Sequence, residues 1–138
     1  MTPSKAPLPF LGTWKLTKCE SSRPDLPHPT SSITTFTLKD DAIHYTSDGV
    51  WSDGRASKVI AVIPMDGSWC PVSGSMLADS LSLQIEGSSI AGKMRKAGVD
   101  VGTTRSTASA DGRTMVGRWE LVGPGGVTVI WDTASARQ

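Results

Sequence analysis

The chain has 138 residues and a formal net charge of +1, from 14 basic and 13 acidic side chains. This length fits one domain, and the charge balance disfavours a nucleic-acid binder, which would show a basic excess or a basic patch. Hydrophobic residues make up 38%, but no apolar run reaches the roughly 18–20 residues of a membrane-spanning helix. We therefore expect one domain with no nucleic-acid partner and no membrane span.

Apolar and polar residues alternate with period two along most of the chain, and helical periodicity is almost absent. Such alternation is typical of strands. The segment 21–29 is predicted as a loop because its three prolines exclude a central strand, and residues 67–78 are predicted to form a short edge strand or part of a portal. The predicted strands are 12–18, 33–39, 42–46, 55–63, 80–86, 90–96, 99–107, 114–121 and 127–131.

Short turn motifs separate these strands. Asp-Gly pairs end at Gly49, Gly54, Gly67 and Gly112, and this dipeptide favours tight hairpin turns because glycine tolerates positive φ. Consecutive hairpins favour a meander over a β-sandwich or a jelly roll, and closure into a barrel would remove both sheet edges.

We therefore predict an all-β fold, a single antiparallel up-and-down barrel of about eight to ten strands. The predicted barrel domain covers residues 10–133. An N-terminal arm, 1–9, precedes it and a C-terminal tail, 134–138, follows it.

The N-terminal residues contain no apolar leader segment, which favours a cytoplasmic protein over the mature form of a secreted one. The chain has two cysteines, Cys19 and Cys70. In a reducing compartment both are expected to be free thiols. The alternative is a single bridge between them, which would close a loop of about 50 residues.

The segment Phe10-Leu-Gly-Thr-Trp-Lys-Leu16 resembles the Gly-x-Trp opening of lipocalins and their relatives in the calycin superfamily. The rest of the chain is similar to small bacterial lipocalin-like proteins of uncharacterised function. The resemblance implies a barrel open at one end, with Trp14 packed at the closed end. It also implies a late arginine against Trp14, for which Arg105 and Arg118 are the candidates. The matching segments are 71–74, 78–83, 96–105 and 109–115.

Arg105 also has a second predicted role. Alternation places it on the strand face of Val99 and Val101, whereas Arg118 lies on the face opposite Trp119. If those apolar faces line the interior, Arg105 points inward and can hold a ligand carboxylate in a bidentate pair. Fatty-acid-binding barrels, which belong to the resembled group, use an interior arginine in this way. The alternative is a strand-end arginine that packs on an aromatic ring or reaches water.

We expect non-covalent binding of a small, mainly hydrophobic ligand, with or without a carboxylate, inside the barrel. One alternative is a structural or interaction module filled by its own side chains, which a cavity below about 300 Å³ would favour. Another is a small-molecule isomerase or hydratase, which would need a titratable pair inside the barrel. The predicted ligand-binding residues are Phe36, Tyr45, Ile60, Leu83, Met94, Arg105, Met115 and Trp119.

The sequence contains no recognisable catalytic or metal-binding motif. Its histidines are His28 and His44, no Gly-x-Ser-x-Gly elbow occurs, and the Cys-x-x-Cys and His-Glu-x-x-His spacings are missing. We therefore predict no metal, no cofactor and no enzyme activity. The expected oligomeric state is a monomer or a homodimer.

Overall fold

The computed structural model describes residues 8–138, which form a closed barrel of ten β-strands. Each strand pairs antiparallel with the next along the chain, and β1 also pairs with β10, so the described sheet has no free edge. The predicted all-β, up-and-down antiparallel barrel is therefore confirmed. The strands are β1 Gly12–Ser21, β2 Pro29–Lys39, β3 Ala42–Trp51, β4 Ala56–Pro64, β5 Cys70–Ser73, β6 Ser80–Glu86, β7 Ser89–Lys96, β8 Val99–Ala108, β9 Thr114–Val122 and β10 Thr128–Arg137.

The last strand is longer than predicted. β10 continues to Arg137, so residues 134–137 are part of the barrel and not a tail beyond a domain end at 133. The extra length is stabilised because β10 pairs with β9 on one side and with β1 on the other, where Arg137 lies opposite Trp14. At the N-terminus, residues 1–7 of the predicted arm lie outside the described residues, and Leu8 packs against the core.

One of the four predicted Asp-Gly turns is wrong. Gly54, Gly67 and Gly112 have φ between 70° and 87°, as a glycine turn requires. Gly49 instead lies inside β3, paired with β2 on one side and β4 on the other. Ladder hydrogen bonds from two neighbouring strands override the local turn preference of this Asp-Gly pair.

The segment 67–78 contains the shortest strand of the barrel. β5 pairs with β4 through two residue pairs and with β6 through two more. It is therefore a short bridging strand inside a closed sheet and not an edge strand. Ser75, in the loop that follows, accepts hydrogen bonds at its Oγ from the amides of Leu77 and Ala78, at 3.0 and 3.2 Å.

The two ends of the barrel have separate cores. The end where β1 begins, called here the Trp14 end, carries the tight β2–β3, β6–β7 and β8–β9 turns. Phe10, Trp14, Ile43 and Ile63 fill it, and none of them is more than 2% exposed. At the opposite end, called here the Trp131 end, the loops after β1 and β5 contribute partly buried apolar side chains to the core around Trp131.

The two cysteines are free thiols in the structure. Cys19 packs with the core of the Trp131 end, whereas Cys70 is buried in the core of the Trp14 end. Burial raises the pKa of both thiols, and for Cys19 the nearby Asp132 carboxylate raises it further. Among residues 8–138, no helix is long and apolar enough to cross a bilayer.

Candidate functional site

Trp14 closes one end of the barrel. Its side chain is 2% exposed, and its indole Nε1 donates a hydrogen bond to the carbonyl of Phe10 at 2.8 Å. The guanidinium carbon of Arg137 lies 4.3 Å from the centroid of the Trp14 ring, within cation–π range. The same guanidinium donates hydrogen bonds to the carbonyls of Pro9, Leu11 and Gly112. Arg137 thus joins the chain start, the β8–β9 turn and the closing tryptophan.

The prediction that Arg105 or Arg118 packs on Trp14 is therefore wrong. Arg118 lies on the outer face and forms an ion pair with Asp132 at 2.8 Å. The arginine on Trp14 is Arg137, whose register position in β10 is directly opposite the tryptophan. Gly12 makes this arrangement possible, because its φ is +120° and a Cβ there would clash with the Arg137 guanidinium. This close approach explains the glycine of the Gly-x-Trp motif.

Above the Trp14 end, the barrel contains a cavity of about 220 Å³. Inward-facing residues of all ten strands line it, together with part of the loop after β5. Six of the eight predicted ligand-binding residues lie on its wall, as does Trp14. These six are Phe36, Tyr45, Leu83, Met94, Met115 and Trp119.

Small inward-facing residues keep the barrel hollow. Gly92 and Gly117 lie on the cavity wall, beside Thr104 and Ser106 of β8. A Cβ at Gly117 would approach the Ser106 hydroxyl to 2.6 Å, and one at Gly92 would meet the Thr104 hydroxyl at 3.5 Å. Glycine and hydroxyl residues therefore occupy positions that larger apolar side chains fill in a solid core. The volume remains below the roughly 300 Å³ at which drug-sized sites begin, so the interior is neither solid nor large.

Ile60 was predicted to line the cavity, and this prediction is wrong. Its side chain is 45% exposed on the outer face of β4, while Val59 beside it faces the cavity. The run 59–63 is apolar on both faces, which suggests a strand covered on both sides. In the closed barrel only the inner face is covered, so Ile60 and Val62 remain exposed.

Arg105 also lies outside the cavity. Its side chain is 58% exposed and its Nη2 bonds to a carboxylate oxygen of Glu86 at 2.7 Å. The inward positions of β8 are taken by its neighbours Thr104 and Ser106. The prediction that Arg105 points inward to hold a ligand carboxylate is therefore wrong, and the alternative of an arginine that reaches water describes it better.

A β-bulge reverses the inward face of β8. In the β7–β8 ladder Met94 pairs with Gly102, but Arg95 pairs with Asp100, so Val101 is an extra residue. An extra residue shifts the alternation by one position, and all later side chains change face. Strict alternation from Val101 therefore predicts the wrong face for the rest of the strand.

Tyr45 is the aromatic residue with a titratable group on the cavity wall. Its ring packs against Phe36, with centroids 5.3 Å apart. Enclosure in the barrel raises the pKa of its phenol above the ordinary value, and this effect exceeds the lowering by the hydroxyls of Ser47 and Thr34. Those two hydroxyls also bond to each other at 2.9 Å. The site thus offers a neutral phenol and a pair of hydroxyls.

The raised pKa values predict a loss of stability at alkaline pH. Tyr45 and the two thiols ionise more easily in the unfolded chain, so above about pH 9 to 10 the unfolded state binds fewer protons and is favoured. We expect the free energy of unfolding, measured by urea titration, to change little between about pH 7 and this range and to fall as pH rises through it. Tyr45→Phe should make the fall shallower, and an unchanged slope would contradict the assignment to Tyr45.

Three tryptophans form a cluster at the Trp131 end. The ring of Trp131 lies 5.5 Å from that of Trp51, nearly perpendicular to it, and 5.8 Å from that of Trp119. All three line the cavity. Sequence analysis selected only Trp119 for the site. The signal for Trp131 is its position two residues after the buried Val129 on the same strand face, which equally suits simple core packing.

A comparison with solved structures supports this architecture. No protein-family model and no curated protein sequence matches the chain. The structure is similar to a zebrafish ileal bile acid-binding protein complexed with cholic acid, with a TM-score of 0.58 and 13% identity over 94% of this chain and 99% of that chain. It is also similar to Rv2717c from M. tuberculosis, with a TM-score of 0.49 and 12% identity over 96% of this chain and 98% of the other. The first likeness shows the fold alone: the chain shares the closed antiparallel β-barrel of the zebrafish protein.

Proposed function

We propose that the barrel binds one compact, uncharged, mainly apolar molecule in its central cavity. The observation that carries the proposal is the cavity itself, about 220 Å³ of space inside the barrel lined mostly by apolar side chains. A protein cavity of roughly 150 Å³ holds benzene, whereas drug-sized ligands occupy about 300–1,000 Å³. The volume therefore supports a ligand of one or two rings in preference to a long-chain lipid. The bile-acid-binding relative supports ligand binding by this fold, not the identity of the ligand.

The charge of the wall supports an uncharged ligand. Of the cavity-lining residues between 8 and 138, the ionisable ones are Tyr45 and Lys93. Lys93 lies between the inward-facing Gly92 and Met94, and its side chain is exposed outside. A carboxylate in this cavity would lose its hydration without gaining a cationic partner, which is costly. Hydroxyls such as those of Thr104 and Ser106 can still bond to a few polar atoms of a neutral ligand.

A matched pair of probes tests the proposal. Benzamide and benzoate have the same shape and differ in charge, and calorimetry or ligand-observed NMR measures the affinity of each. We expect benzamide to bind at least tenfold more tightly than benzoate, since only the amide can enter without an unpaired charge. Arg105→Ala should leave both affinities unchanged, because its guanidinium lies outside the barrel. A tenfold loss of benzoate affinity in this variant would show that Arg105 takes part in ligand binding.

The second candidate function is a structural or interaction module. The observation that favours it is the volume, which is smaller than the roughly 300 Å³ expected of a drug-sized site. This module would bind neither benzamide nor other one-ring probes, such as toluene, at millimolar concentrations. Native mass spectrometry of the protein from its own host would add a direct check, because a resident ligand would appear as a mass increment.

An isomerase or hydratase remains a weaker alternative. It would need two titratable groups close to one substrate. Of the two ionisable residues on the described cavity wall, only Tyr45 has a side chain that faces inward. A reaction supported by Tyr45 and a second group would show a bell-shaped dependence of rate on pH. A binding protein would show no turnover of the bound molecule at any pH.

A further inference from the structure

We propose that the hydroxyls of Ser106 and Thr133 bind the polar end of the ligand, and that this end both accepts and donates a hydrogen bond, as a phenolic hydroxyl or a primary amide does. The two hydroxyls flank Gly117, and these three residues are called here the Gly117 notch. The inference rests on the proposed function and adds to it a chemical class of ligand and a position in the cavity.

The Gly117 notch lies across three neighbouring strands of the wall. In the ladders Gly117 of β9 pairs with Ser106 of β8 on one side and with Thr133 of β10 on the other. Along β9 the adjacent inward-facing residues are Met115 and Trp119, and all five residues line the cavity. The wall therefore has a gap at Gly117, with a hydroxyl on each side and a large apolar side chain at each end.

The two hydroxyls of the notch point toward the same place. A Cβ on Gly117 would have the Ser106 Oγ at 2.6 Å and the Thr133 Oγ1 at 3.0 Å as its nearest neighbours. Both oxygens thus lie beside the space that a side chain at position 117 would occupy. A small polar group of a ligand that reaches this part of the wall lies next to both of them.

The hydrogen bonds of the notch leave a donor and an acceptor for the ligand. Among residues 8–138 the Ser106 hydroxyl has no partner, while the Thr133 hydroxyl donates to the Gly117 carbonyl at 3.3 Å and keeps its lone pairs. Within the same residues, the unpaired side-chain nitrogen or oxygen that is fully buried is the Trp131 Nε1, so the Ser106 oxygen keeps accessible surface. A group that accepts from Ser106 and donates to Thr133 completes both hydroxyls. Alcohols, phenols and primary amides do this without a charge, whereas ethers and ketones only accept.

The opposite wall contains a similar row of small residues whose hydroxyls do not converge. β3 is five positions from β8 in the ring of ten strands, and its Gly49 lies between Ser32 of β2 and Ser57 of β4. A Cβ on Gly49 would meet the Cβ of Ser32 at 3.5 Å and the Ser57 Oγ at 3.7 Å. The Ser57 hydroxyl already accepts a hydrogen bond from the Trp51 indole at 3.1 Å. This row, called here the Gly49 row, therefore serves as the control for the Gly117 notch.

The side chains at the two ends of the notch favour an aromatic ring beside the polar group. Met115 is buried, Trp119 is half-buried, and both line the cavity. Methionine sulfur and indole rings make favourable contacts with aromatic rings. The ligand class that fits best is a small ring compound that carries a hydroxyl or a primary amide.

The competing occupant of the Gly117 notch is a water molecule. Water also accepts and donates, so it would satisfy both hydroxyls without a ligand. Probes with and without a hydroxyl separate the two occupants, because an apolar group that displaces this water forms none of its hydrogen bonds.

Phenol and toluene are the matched probes, since they have nearly the same shape and differ in a hydroxyl and a methyl group. Calorimetry or ligand-observed NMR measures the affinity of each. We expect the ratio of phenol to toluene affinity to fall about tenfold in Ser106→Ala and in Thr133→Val, as for the loss of one buried hydrogen bond. Ser32→Ala makes the serine-to-alanine change in the Gly49 row and should keep the ratio.

A measurement on the unaltered protein locates the probe and does not depend on a variant folding correctly. We expect nuclear Overhauser contacts from bound phenol to the α protons of Gly117 and to the methyl group of Thr133. Contacts to the α protons of Gly49 in their place would put the ring at the opposite wall and overturn the inference.

Urea unfolding of the ligand-free protein separates a binding role of Ser106 from a structural one. The midpoint for Ser106→Ala should equal that of the unaltered protein, because this hydroxyl has no partner among residues 8–138. A lower midpoint together with an unchanged affinity ratio would show that the hydroxyl stabilises the fold and does not bind ligand.

The results that would overturn the inference differ from those that would overturn the proposed function. If phenol and toluene bind but their affinity ratio is unchanged in Ser106→Ala and Thr133→Val, the cavity binds ligands and the notch holds only water. An equal fall of the ratio in Ser32→Ala would also contradict the assignment to the notch. If phenol, toluene and benzamide all fail to bind at millimolar concentration, the proposed function fails and this inference fails with it.

Discussion

Thr104→Leu is expected to abolish the binding of one-ring probes while the protein remains folded. Thr104 faces the cavity from β8, and its partner in β7 is Gly92, which has no side chain to fill that part of the wall. A leucine at this position would occupy part of the 220 Å³ that the proposed ligand needs. We expect benzamide affinity to fall at least tenfold. Because the added methyl groups enter empty space, stability should change by less than about 1 kcal/mol.

The matched control for this variant is the adjacent residue on the same strand. Thr103 is exposed on the outer face, between Lys93 and Glu120 in the ladder. Thr103→Leu makes the same chemical change and the same change in strand propensity but adds nothing to the cavity. Its benzamide affinity should equal that of the unaltered protein. If the two variants bind benzamide with equal affinity, the part of the cavity next to Thr104 is not the binding site.

Trp14→Ala is expected to produce the largest loss of stability among single substitutions at the closed end. The change removes a fully buried ring, its hydrogen bond to Phe10 and its contact with Arg137. Large-to-small changes of this kind cost roughly 3–5 kcal/mol, out of a total of about 5–15 kcal/mol for a typical domain. Urea denaturation followed by circular dichroism measures the difference.

Two further variants complete that series. Trp69→Ala is the matched control, because Trp69 is 37% exposed and stacks outside the barrel on Arg95; we expect a cost of about 1 kcal/mol or less. Arg137→Ala keeps the Trp14 ring but loses its cation and the hydrogen bonds to three carbonyls. The loss of stability in Arg137→Ala should lie between the losses in Trp14→Ala and Trp69→Ala. Equal losses for Trp14→Ala and Trp69→Ala would contradict the closing role of Trp14.

Two of the predicted site residues were assigned to the wrong face of their strand. For Arg105 and Ile60 the strand itself was predicted, but the side chain lies on the outer face of the barrel. Period-two alternation groups residues into two faces without saying which face is inside. A bulge such as the one at Val101 also exchanges the faces partway along a strand. Sequence analysis could not locate this bulge, because it arises from the pairing of β8 with β7.

The cavity and the closing arginine depend on contacts between residues far apart in the chain. Arg137 meets Trp14 only because β10 pairs with β1 in the one register that places them opposite each other. The cavity volume depends on how small residues from different strands, such as Gly92 and Thr104, come to face one another. Six of the predicted site residues lie on the cavity wall because large apolar residues on alternating strands usually face the interior of a barrel.

The sequence by itself determined the strand-rich fold, the approximate strand positions and the Gly-x-Trp segment at the start of the barrel. These features follow from local alternation, turn chemistry and the spacing of neighbouring residues, which each short segment carries on its own. Tertiary structure alone decided which faces point inward, that Arg137 and not Arg105 meets Trp14, and how large the cavity is. The reason is physical: these properties belong to register, bulges and packing across the closed sheet, and no local pattern contains them.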